Sequence, residues 1–121
     1  MSKRIVLTVC LAAFTVIAPA QLSAGAVGGP TIENTRVGAF KTDRFTAVVF
    51  RAGDEAVVTV SGDGDTDLDL YVYDDNGNLV AKDDDSTDQC LASWTPKWTG
   101  RFFIVVKNRG SIYNQYRLRT N

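Results

Sequence analysis

Apolar and polar residues alternate along most of this chain with a period of two. In Ala56–Ser61, Ala56, Val58 and Val60 share one face, and in the next apolar stretch Leu68, Leu70 and Val72 alternate with Asp67, Asp69, Tyr71 and Tyr73. A period of two places successive side chains on opposite faces of a strand, so each stretch predicts a half-buried β-strand. Phe45–Phe50, Leu79–Ala81, Gln89–Thr95, Arg101–Lys107 and Tyr113–Thr120 read the same way, and no segment carries a helical period. Turn signals separate them: Ala52-Gly53-Asp54, Gly62 with Gly64, Asp75-Asn76-Gly77 and Asn108-Arg109-Gly110. Seven or eight short strands punctuated in this way predict an all-β, antiparallel β-sandwich. The alternation also names its core: Val58, Val60, Leu68, Leu70, Val72, Trp94, Phe102, Ile104, Val106, Tyr116 and Leu118. The Asp and Tyr side of residues 67–73 is expected to face solvent.

The amino terminus departs from this pattern. Ser2, Lys3 and Arg4 precede an apolar run from Ile5 to Ala18, and small residues follow at Ala18-Pro19-Ala20 and Ala24-Gly25-Ala26. That is the layout of a secretory signal peptide, residues 1–26, with cleavage expected after Ala20 or Ala26. The run is shorter than the roughly 20 residues of a bilayer crossing, and none as long follows it, so a secreted or periplasmic protein with no membrane association after signal removal is expected. Residues 27–42 form a leader with room for a first strand, and residues 43–121 form the sandwich. Export removes Cys10 and leaves Cys90 alone, which reads as a small buried apolar residue.

Export also changes the charge. Of 13 basic residues Lys3 and Arg4 are lost, so 11 remain against 14 acids, for a net charge of −3. The acids are concentrated. Residues 63–88 hold ten aspartates against Lys82, whereas the other acids of the chain are Glu33, Asp43, Asp54 and Glu55. Such segregation suggests that the acidic segment meets a cation, either a metal ion or the protein's own basic surface. Calcium takes several oxygen ligands, and Asp67 and Asp69 on one strand face, with Asp83, Asp84 and Asp85 across the hairpin, are the candidate set. An EF-hand is excluded, since Leu68 stands at its glycine position and Asp74 in place of the closing glutamate. The competing reading is ordinary turn chemistry on a solvated edge. Tyr71, Tyr73 and Trp98 are candidates for a platform that stacks on sugar rings or peptide side chains. Histidine is absent from the sequence, which excludes an imidazole-based triad and a histidine-ligated zinc site. No basic run points to nucleic acid.

The succession AGDEAVVTVSG, DTDLDLYVYDDNGNLVAKDDD, SWTPKWTGRFFIVV and NQYRL resembles the bacterial pre-peptidase C-terminal domain, a family related to the collagen-binding domains of clostridial collagenases. The resemblance spans residues 43–120. It implies a sandwich with jelly-roll character and a non-catalytic accessory role beside secreted hydrolases, with calcium or an extracellular polymer as ligand in some members. The expected function is therefore a secreted, non-enzymatic binding module, with calcium a candidate stabiliser, that attaches to an extracellular polymer or to a secreted protein in trans. A structural envelope protein that associates through its strand edges is the alternative.

Overall fold

The computed structural model describes residues 25–121; the expected signal segment through residue 24 lies outside the described residues. Eight strands are described: β1 (Ile32–Val37), β2 (Thr42–Phe50), β3 (Ala56–Ser61), β4 (Leu68–Tyr73), β5 (Leu79–Asp83), β6 (Gln89–Trp94), β7 (Gly100–Asn108) and β8 (Asn114–Thr120). Every pairing is antiparallel. One sheet has the order β1-β8-β3-β6 and the other β2-β7-β4-β5. Successive strands from β1 to β4 thus alternate between sheets, and two four-stranded sheets interleaved in this order make a jelly roll. The all-β sandwich read from the alternation is the observed fold.

The core lies where the predicted faces meet. Val58, Val60, Leu68, Leu70, Val72, Phe102, Ile104, Val106, Tyr116 and Leu118 are all buried, and Trp94 packs partly buried against them. Phe50, Trp94 and Phe102 form an aromatic cluster, with centroids 4.9 Å apart for Phe50–Trp94 and 5.4 Å for Trp94–Phe102. Tilted and edge-on rings at these distances put positive edge against negative face. Cys90 is buried and donates to the Leu68 carbonyl at 3.2 Å, and burial pushes its thiol up to about 12. It is an inert packing residue.

The leader is part of the sandwich. Residues 32–37 pair along β8, and Ala26, 1% exposed, bridges to Phe50 and donates its N–H to the Asn121 carbonyl at 3.0 Å. Of the two Ala-x-Ala sites, cleavage after Ala20 leaves Ala26 in the core and cleavage after Ala26 removes it.

Candidate functional site

Antiparallel connectivity gathers the loops at two ends of the sandwich. Loops 38–41, 62–67, 84–88 and 109–113 share one end, because β1, β3, β5 and β7 all finish there. Two buried asparagines lock this end. The Asn108 amide shares its hydrogens among the carbonyls of Val37 (3.3 Å), Gly38 (3.1 Å) and Ile112 (2.8 Å), and its Oδ1 accepts the Gly110 N–H at 2.9 Å. Phe40 N–H adds a 3.1 Å bond to the Gly110 carbonyl, so loops 38–41 and 109–113 are held as one unit. Asn114 is wholly buried; its amide donates to Thr66 Oγ1 (3.1 Å) and Asp88 Oδ2 (2.9 Å), and its Oδ1 accepts the Asp63 N–H at 3.2 Å. Gly110 lies against Thr66 with no space for a Cβ, so this meeting of loops requires glycine.

Half of the aspartates at this end are spent on the backbone. Asp63 accepts from the N–H groups of Asp65 (3.0 Å) and Gln115 (2.9 Å), Asp83 from Leu91 (2.9 Å), Asp85 from Thr87 (2.9 Å) and Asp88 from Gly64 (2.6 Å). Burial works against the charge of Asp88, yet the Asn114 amide and the Gly64 N–H hold its carboxyl below the usual range. Asp84 pairs with exposed Lys82 at 3.0 Å. This is turn chemistry of the kind Asp favours, repeated around one end of the fold.

Asp67 and Asp69 differ. Asp69 was expected on a solvated face but is 3% exposed, because Arg109 folds over it and donates Nε to Oδ2 at 2.6 Å. The acidic segment meets the protein's own basic side chain there. Asp69 Oδ1 and Asp67 Oδ1 are buried with no hydrogen-bond partner. Burial, followed by the neighbouring charges of Asp69 and Asp85, holds the Asp67 carboxyl above its ordinary range. Of the five acids expected to ligate calcium, Asp67, Asp69 and Asp85 are neighbours, while Asp83 serves the Leu91 amide and Asp84 serves Lys82. Among the described residues no three acidic, histidine or cysteine side chains are arranged to hold one metal ion.

The three aromatic candidates do not form one platform. Tyr71 stacks under the Lys107 ammonium, 5.4 Å from its ring centroid, and Tyr73 lines a depression of about 440 Å³ on the outer sheet face with Arg44, Phe103 and Val105. Trp98 lies at the opposite end, in a separate groove of about 280 Å³ with Val80, Trp94 and Pro96. Sequence reasoning passed over the most exposed apolar residues of the four-loop end. Phe40 is 70% exposed, Ile112 53% and Tyr113 50%. Phe40 also has φ of 55°, as the only described non-glycine residue with positive φ. The signal available was a bulky residue in a turn position, Gly38-Ala39-Phe40-Lys41, where glycine or asparagine is usual.

No protein-family model and no curated protein matches this chain. A solved structure does: the periplasmic inhibitor of g-type lysozyme PliG from Aeromonas hydrophila, at 17% identity and a TM-score of 0.53, covering 76% of this chain and 84% of that one. The likeness is one of fold.

Proposed function

We propose that this chain is an exported, non-catalytic binding protein of the periplasm or cell exterior, whose partner is a glycan-cleaving enzyme of the lysozyme class. The observation that carries this reading is a loop end built for recognition, on a fold it shares with a periplasmic lysozyme inhibitor. Loops pinned by buried Asn108 and Asn114 lose little freedom on association, so a larger share of the contact energy appears as affinity. Exposed aromatic and cationic side chains at the same end are the residue types that anchor protein interfaces. The test is calorimetric titration of the mature protein with a g-type lysozyme, alongside lysis of a cell-wall suspension. Saturable binding with loss of lytic activity is expected; absence of both would reject the reading.

A second reading, attachment to an extracellular polymer, draws on the groove that pairs Trp98, 43% exposed, with Trp94. Co-sedimentation with insoluble glycans or collagen tests it, with Trp98→Ser as the informative variant.

A further inference from the structure

We infer that the partner is engaged by the tip made from turn 38–41 and loop 109–113, and that the surface this tip fits is an acidic, glycan-binding cleft. This rests on the lysozyme-directed reading above and assigns that reading a contact surface. Three independent observations converge on the tip. The first is strain: the Lys41 N–H closes a four-residue turn on the Gly38 carbonyl at 3.0 Å, which puts Phe40 at the third position with φ of 55°. Glycine satisfies that position without strain, and a bulky side chain does not. A phenylalanine held there while 70% exposed contributes nothing to the core, and such outliers persist where the surroundings over-determine them.

The second is an uncovered apolar tip. Ile112 and Tyr113 belong to the loop that the Asn108 and Gly110 bonds tie to turn 38–41, and each is at least half exposed. Arg36 lies 4.8 Å over the Tyr113 ring and fixes its orientation while leaving the guanidinium at the surface.

The third is charge. Phe40 forms one wall of a recess of about 280 Å³ whose other lining includes Lys41, Lys107 and Arg109. Arg109 commits its Nε to Asp69, yet its side chain is 53% exposed. The acids nearest Arg109 are Asp69, which it pairs, and Asp67 and Asp84, whose charges it also offsets, so among the described residues the cations left without an acidic partner in this recess are Lys41 and Lys107. Lys41 and Lys107, with the exposed face of the paired Arg109, stand beside an aromatic wedge and are complementary to a carboxylate set in a cleft that otherwise receives sugar rings. Glycoside hydrolases present a pair of carboxylates in such a cleft, and rings that stack on sugars stack on aromatic side chains too. A rigid tip of this make-up occupies the substrate's place, so inhibition through it is competitive.

The experiment measures Kd and inhibition against g-type lysozyme for the wild type, Phe40→Gly, Tyr113→Ser, Lys41→Glu and, at the opposite end, Trp98→Ser. Phe40→Gly is the decisive variant, because it relieves the backbone strain and its melting temperature separates lost binding from lost folding. The expected result is binding weakened by roughly tenfold or more for each of the three tip variants, with the melting temperature of Phe40→Gly at or above wild type. Trp98→Ser should stay within about twofold of wild type, and excess glycan should relieve inhibition. Tip variants that bind like wild type, loss of binding in Trp98→Ser instead, or inhibition untouched by glycan would overturn the inference and leave the inhibitor reading standing. A wild-type protein that neither binds nor inhibits would overturn both.

Discussion

The two ends of this sandwich follow different rules. At the end formed by residues 51–55, 74–78 and 95–99, glycine occupies the turn positions that need it, with φ of 83° at Gly53 and 85° at Gly77. Asp74, 4% exposed, accepts from the N–H groups of Asn76 and Asn78, both at 2.9 Å, and from the Asn78 amide at 3.2 Å. Beneath it sits the Phe50–Trp94–Phe102 cluster, whose one irregularity is a buried Trp94 Nε1 without a partner. At the four-loop end a phenylalanine takes a position suited to glycine, half-buried Asp67 and buried Asp69 each keep one buried oxygen without a partner, and three large apolar side chains face solvent. In its backbone the first end is locally consistent and the second is not, although Trp98 and Leu79 are 43% and 48% exposed at the first. Backbone outliers of this kind cluster at functional sites, and that is why the proposed contact surface lies at the end that carries Phe40.

The largest effect expected from this contrast is at the consistent end. Phe102→Ala removes a ring that is 2% exposed from the aromatic cluster, and a loss of about 3–5 kcal/mol in chemical denaturation is expected. Next comes the lock of the four-loop end. Asn114→Ala leaves Asp88 Oδ2 and the Asp63 N–H without their buried partner, which should cost about 1–3 kcal/mol in the same measurement. A loss below about half a kcal/mol would mean that these loops are not pinned as described.

The aspartates then predict opposite signs at the two ends. The Asn78 backbone and amide, with the N–H groups of Asn76 and Gly77, hold the Asp74 carboxyl below its ordinary value of 3.8. Its stabilisation is therefore present above that value and is lost as pH falls through the lower, folded one. Asp67 runs the other way. Its folded value lies above 3.8, so the folded state binds the extra proton, and stability falls as pH rises from 3.8 through the raised value. At neutral pH, Asp74→Asn should melt below wild type and Asp67→Asn at or above it, and in acid both differences should shrink. Melting curves in which both variants lose stability alike would erase the distinction between the ends.

The smallest effect is a gain. Phe40→Gly releases a left-handed strain of about 1–2 kcal/mol, set against roughly 0.5–1 kcal/mol for the greater freedom of glycine in the unfolded chain. A net stabilisation between zero and about 1.5 kcal/mol is expected, and a clear destabilisation would make Phe40 a structural residue.

Much of this architecture was legible in the residues, because period-two alternation and turn chemistry act over a few positions. Ala56–Ser61 and the apolar faces of β4, β7 and β8 were named from alternation alone, and the strands lie there with those faces inward. The fate of the acids was not legible in the same way. Asp67 and Asp69 read as solvated by the rule of alternation, and the rule failed at Asp69 because Arg109, 40 residues further on, covers it. The platform of Tyr71, Tyr73 and Trp98 failed for a related reason: exposure was foreseen for each ring, but not which end of the sandwich each would occupy.

What the sequence determined by itself, then, is the strands from β2 onward, the face most of them turn inward, and the aspartates that cap their own turns, since these depend on neighbours two to four residues away. Tertiary structure alone decided which loops share an end, which carboxylate is buried beneath an arginine, and that turn 38–41 is tied to loop 109–113. Those outcomes depend on the order of strands in two interleaved sheets, which brings Asn108 to Val37 across 71 residues and Asn114 to Thr66 across 48. Pairing at that range is selected by burial of the whole core, a quantity no local pattern contains.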